Sequence, residues 1–131
     1  MIPEIKYNKL TSKEYFIYDE NTLPFNVLDF WKWSTSDLLT NRQRGILAEF
    51  LISSALDLTD NPRSEWDEYD LITKDGLKIE IKSASYIQSW EQKEYSKISF
   101  GIQPTAKWEN NKRTTDKVRQ SDLYIFCLLA H

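Results

Sequence analysis

Cysteine, an excess of positive charge and long apolar runs are scarce or absent in this chain of 131 residues, and each shortage argues against a class of protein. The one cysteine, Cys127, cannot form an intrachain disulfide, so the chain is not a disulfide-stapled scaffold. Cys127 lies in the apolar run Leu123-Tyr124-Ile125-Phe126-Cys127-Leu128-Leu129, where a thiol is read as core filling rather than as a reactive group. No apolar stretch approaches the roughly 20 residues of a membrane-spanning helix, and mean hydropathy is −0.58. The N-terminus lacks the basic segment and apolar core of a secretory leader. Together these absences predict a cytoplasmic protein with no membrane partner. The single histidine, His131, is assigned no role. Net charge is −3, which argues against a uniformly basic nucleic-acid binder.

The charge is unevenly spread, however. Residues 104–131 carry Lys107, Lys112, Arg113, Lys117 and Arg119 against three acidic residues, a net of +2, and the first 103 residues carry −5. An acidic cluster that holds a divalent cation lowers formal charge without excluding DNA, because the ion restores a positive field. Hydrophobic residues make up 40% and aromatics 14%, too many for a disordered chain. The length suits one domain, residues 1–131, with one core. There are no internal repeats and no low-complexity segments.

Residues 1–35 read as an irregular N-terminal arm, interrupted by Pro3, Pro24 and Asp19-Glu20-Asn21, with a short strand or helix near Tyr15–Tyr18. Residues 36–131 form the expected core. Ser36 is a good N-cap and Asp37 suits the first turn, so a helix is predicted from there to about Leu56. Its apolar stripe is Ile46, Leu47, Phe50, Leu51 and Ser54, with Glu49 beside it. Residues 57–63 form a loop, and a hairpin follows over 67–85. Lys97–Ile102 alternates as a third strand, ended by Pro104, and Thr115–Gln120 suggests a short helix. Asp122–Leu129 reads as a fourth strand, buried on both faces. The chain stops at the end of that run, which predicts that a C-terminal capping segment is missing.

The hairpin carries the chemistry. Lys78, Glu80 and Lys82 alternate with Leu77, Ile79 and Ile81, giving one charged face and one apolar face. A two-residue Asp75-Gly76 turn would put Asp70 and Glu80 on opposite faces. A three-residue Lys74-Asp75-Gly76 loop pairs Thr73 with Leu77 and sets Asp70 across from Glu80, with Cβ atoms about 4.5–5.5 Å apart. Two carboxylates so placed repel each other unless a cation neutralises them. They would bind Mg²⁺, with Mn²⁺ as an alternative ion. Lys82 would position the attacking water or offset charge on the phosphate. Glu49 would bring a third carboxylate, directly or through a water. Gln88 and Ser83 are candidates to contact phosphate, as are Lys112, Arg113, Lys117 and Arg119. Trp66 and Trp90 are candidates to stack on bases, with packing as the plainer role. The plainer reading of the charged strand is a solvated face with a cross-strand ion pair.

Glu49 on a helix, Asp70 on one strand and Glu80-Ile81-Lys82 on the next resemble the PD-(D/E)XK nuclease superfamily. The proline that often precedes the aspartate is replaced by Tyr69. The resemblance implies a restriction-endonuclease-like α/β core: a helix, a three-stranded antiparallel meander, a connection or helix, then a fourth strand in a mixed sheet. Within that superfamily, Phe30-Trp31-Lys32-Trp33, Ser36-Asp37-Leu38, Arg44-Gly45-Ile46-Leu47-Ala48-Glu49-Phe50 and Lys82-Ser83-Ala84-Ser85-Tyr86-Ile87-Gln88-Ser89-Trp90 look like a group of small prokaryotic proteins. The implied activity is metal-dependent hydrolysis of DNA in restriction, defence or repair. A homodimer is expected if both strands of a duplex are cut. The alternative is a catalytically silent nucleic-acid-binding or assembly module on the same fold.

Overall fold

A computed structural model describes residues 1–131 as seven strands and two helices. Strands β1 (Tyr15–Tyr18) and β2 (Asn21–Asn26) form an antiparallel hairpin: β1 is the strand alternative expected near Tyr15–Tyr18, and its partner β2 replaces an irregular arm. Its turn residues, Asp19 and Glu20, have φ of 47° and 64°. Two successive left-handed residues match the right-handed twist of a two-residue hairpin. Helix α1 (Val27–Thr35) follows directly. The Asn26 side chain accepts from the Asp29 N–H and the Asp29 side chain accepts from the Asn26 N–H, a reciprocal cap. Phe16 packs against Phe25 and Phe30, tying hairpin to helix.

The predicted long helix starts later than expected. Ser36 closes α1 rather than opening the next helix. Helix α2 runs Asn41–Ala55, with the Thr40 hydroxyl accepting the Gln43 N–H at its start. The buried face is also different. Arg44, Ala48, Glu49 and Ser53 are buried, whereas Phe50 and Leu51 are exposed. The small Ala48 packs against Ile79 and Ile81 with Ile52 alongside, and that contact fixes the rotation of α2.

Strands β3 (Leu71–Ile72) and β4 (Lys78–Ser85) are antiparallel, pairing Leu71 with Ile79 and Ile72 with Lys78. Strand β5 (Thr105–Glu109) pairs with β6 (Lys112–Val118) as a separate antiparallel hairpin. Strand β7 (Leu123–Leu129) runs parallel to β4, from Ile79 opposite Leu123 to Ser85 opposite Leu129. The main sheet is therefore mixed, with order β3-β4-β7.

Three expectations fail here for identifiable reasons. Lys97–Ile102 forms no ladder, and it is β7 that pairs along the length of β4. Instead Phe100 stacks on Phe126 of β7, with centroids 4.6 Å apart. Thr115–Gln120 is not a helix: Asn110 and Asn111, at φ 51° and 58°, make a turn that folds Lys112–Val118 back as β6. Strand β7 is not buried on both faces, since Leu123, Phe126 and Leu128 are exposed. The core is small: Ala48, Ile79 and Ile81, with Ile52, Leu71, Ile125 and Cys127 packed around them. No helix is long and apolar enough to cross a membrane.

Candidate active site

The loop of the β3–β4 hairpin positions the site. Thr73 donates its N–H to the Leu77 carbonyl at 2.9 Å, and Gly76 sits at φ 90°, where a side chain is strained. The register is that of the three-residue loop. One step beyond Leu71–Ile79 the ladder stops. There the Asp70 carboxylate accepts the Ile81 N–H at 2.6 Å, taking the place of a backbone carbonyl. The Asp70 N–H donates to Ile79 at 3.0 Å, so main chain and side chain both hold the residue to β4.

Burial pushes the Asp70 carboxyl above the ordinary carboxylate range. The Ile81 N–H pulls it back, the charges of Glu49 and Glu80 raise it further, and Arg63 lowers it. Asp70 is thus the member of the acidic set that feels both other carboxylates. Glu80 and Lys82 share the charged face of β4, and their side chains form an ion pair at 2.5 Å.

Glu49 stands apart from that pair. It projects from α2, which packs on Ile79 and Ile81, whereas Glu80 and Lys82 are on the other face of β4. No three acidic, histidine or cysteine side chains converge closely enough to hold one ion. Glu49 is also fully engaged by Arg63, which the sequence reading did not single out. The guanidinium contacts both carboxylate oxygens, Nε to Oε2 at 2.5 Å and Nη2 to Oε1 at 3.0 Å. The hydrogen bond to Glu49 raises the Arg63 pKa above its ordinary value. Glu49 and Asp70 line one open cleft of about 910 Å³. Its acidic residues, which include Asp57, Asp60 and Asp67, outnumber Lys9, Arg63 and Lys74.

Ser83 and Gln88 are gathered by a second unforeseen residue. Arg44 donates from Nε to the Ser83 hydroxyl at 3.1 Å and from Nη1 to the Gln88 carbonyl at 3.2 Å. It also holds the Leu39 carbonyl and the Asn41 side chain, and every one of these partners is neutral. Lys112, Arg113 and Lys117 are exposed on β6, and Arg119 follows them. None of the four lines the cleft. Their hairpin is nonetheless tethered near it, because Lys107 of β5 lies 3.5 Å from Glu68, two residues before Asp70. Trp108, exposed, stands across from Arg113 in the ladder. Trp66 and Trp90 are exposed as well. His131 lies 2.9 Å from the buried Ser85 hydroxyl.

Residues 25–131, from the end of β2 through β7, match the sequence model of a family described as bacteriophage T4 endonuclease IV. No match was found among curated proteins or among solved structures.

Proposed function

This chain belongs to the bacteriophage T4 endonuclease IV family, and on that premise we propose that it is a metal-dependent nuclease hydrolysing DNA phosphodiester bonds. The observation that carries the chemistry is Asp70: a carboxylate held on the Ile81 N–H and raised in pKa by burial and by two further carboxylates. A cation is what such a like-charged group lacks. Asp70 and Glu80 would hold the ion, and Glu49 would add a third carboxylate, directly or through a water. Hard carboxylate oxygens suit Mg²⁺, and Mn²⁺ can replace it. When bound, the ion supplies a water of lowered pKa and charge stabilisation on the phosphate.

The chain's own residues do the rest. Lys82, now paired with Glu80, is within reach of the same face and offsets charge on the scissile phosphate. The β5–β6 hairpin offers Lys112, Arg113, Lys117 and Arg119 to backbone phosphates, with Trp108 available to stack on a base. Arg44 holds Ser83 and Gln88 together on the α2 side of β4, where they could contact phosphate. The order α2, β3, β4, β7 supports the restriction-endonuclease-like reading, and the missing third meander strand counts against it. Restriction, defence or repair is the proposed setting, with a homodimer needed for duplex cutting.

The test is cleavage of linear, circular, single-stranded and branched DNA across an Mg²⁺ and Mn²⁺ titration, with Glu80→Gln and Lys82→Ala alongside. Each variant is expected to lose cleavage by about 100-fold or more while keeping the wild-type circular dichroism. Unchanged cleavage in both would overturn the assignment. The engagement of both Glu49 oxygens by Arg63 favours one rival, a silent DNA-binding module, and that protein would bind DNA without cutting it in either metal.

A further inference from the structure

Arg63 is the least expected member of the site. It is a cation supplied by the protein itself, at the carboxylate that the metal reading assigns to Mg²⁺. Its two contacts with Glu49 take both carboxylate oxygens. Glu49 is nearly buried, with its side chain 12% exposed, so it has little water to fall back on and needs a positive partner. Arg63 is different. Its side chain is 36% exposed, it belongs to the segment between α2 and β3, and it also touches Glu65 at 3.3 Å. A guanidinium so placed at the wall of an open cleft can leave Glu49 for another oxyanion. A DNA phosphate, through its two non-bridging oxygens, offers a guanidinium the same two-point contact as a carboxylate.

We propose that Arg63 is an internal counter-cation that blocks Glu49 from metal in the free protein, and that a DNA phosphate draws it away. This rests on the metal-dependent reading given above. Glu49 can neutralise either Arg63 or a divalent ion at one time, so the two compete. A DNA phosphate that takes Arg63 leaves Glu49 in need of a cation. DNA and metal then each raise the other's affinity by the same factor, as linkage requires. The free protein would hold metal weakly and the DNA-bound protein would hold it well.

The competition is measurable without catalysis. Trp31 and Tyr69 line the same cleft as Glu49 and Arg63, so a bound Tb³⁺ ion would emit when they are excited. Tb³⁺ would be titrated into the full chain, into Arg63→Gln, and into Lys74→Gln, which removes a different cation of the cleft, one near Asp57. Arg63→Gln should bind about tenfold more tightly than wild type, equivalent to about 1.4 kcal/mol. Lys74→Gln should change affinity far less, and Arg63→Lys should fall between wild type and Arg63→Gln. A saturating DNA oligonucleotide should tighten Tb³⁺ binding to wild type and leave Arg63→Gln unchanged. Equal affinities for wild type and Arg63→Gln would overturn the inference and leave the metal reading standing. So would a gain in Lys74→Gln as large as that in Arg63→Gln, or no DNA effect on wild type. Absence of Tb³⁺ binding in all the proteins, confirmed with Mn²⁺ by calorimetry, would overturn the metal reading itself and the inference with it.

Discussion

Replacing Asp70 by asparagine should stabilise the protein while destroying its activity. The Asp70 carboxyl holds its proton more tightly in the folded chain than in the unfolded one, mainly because folding buries it. The unfolded value is about 3.9. Between that value and the raised folded one, the native state binds more protons, so stability falls as pH rises through the window. Below the window Asp70 is protonated in both states and its ionisation costs nothing. Above it the full cost is present. Asparagine never ionises, and its side-chain oxygen can still accept the Ile81 N–H. Asp70 is only partly buried, so solvent screens its repulsions, and the gain belongs to the range of surface charge pairs, about 0.5–1 kcal/mol. An unfolding entropy of about 2.1 cal/mol/K per residue converts this to a rise in Tm of about 2–4 °C. Thermal melts without metal should show that difference near pH 7.5 and a shrinking one near pH 4. Adding Mg²⁺ should raise the Tm of wild type and not of Asp70→Asn. A variant less stable than wild type at neutral pH, or a gap that ignores pH, would refute the reasoning.

Two further outcomes follow from the fold. Neutralising Lys112, Arg113, Lys117 and Arg119 together should weaken DNA binding at every sequence. It should also flatten the plot of log affinity against log salt by about 3 to 4, and an unchanged slope would remove the β5–β6 hairpin from the interface. Ile79 is 2% exposed and sits at the centre of a very small core. Ile79→Ala should therefore cost about 2–5 kcal/mol, a large share of a typical total of about 5–15 kcal/mol, whereas Ile79→Val should cost about 0.5–1.5 kcal/mol. Urea unfolding followed by circular dichroism separates the two.

The β3–β4 hairpin was legible because its signals are local. Gly76 marks a left-handed position, and loop parity then sets which residues lie across from one another. Helix α2 was legible at its C-terminal end but not in its start or its rotation. The rule that apolar residues face inward pointed to Phe50 and Leu51, yet the inward face carries Arg44 and Glu49, polar groups that find partners from distant segments. Sequence spacing holds no trace of Arg63 meeting Glu49 or of Arg44 meeting Gln88. The third strand was misread because alternation in Lys97–Ile102 does not say which segment pairs with β4, and the segment that does so along its length is β7. The Asn110-Asn111 turn was the one overlooked local signal: two residues that tolerate positive φ, flanked by residues that can pair.

The parallel pairing of β4 with β7 sets a kinetic condition on this chain. Lys78 and Asp122 begin that ladder, exchanging backbone and side-chain hydrogen bonds across 44 residues of sequence. The α2 helix and the β3–β4 and β5–β6 hairpins involve only near neighbours and can form early. The β4–β7 ladder must first close a long loop, losing chain entropy before any pairing compensates for it. Until then one edge of β4, and the whole apolar length of Leu123–Leu129, are open to other chains. The docking of β7 is thus the step expected to be slowest, and the one at which the chain is most exposed to association with other chains.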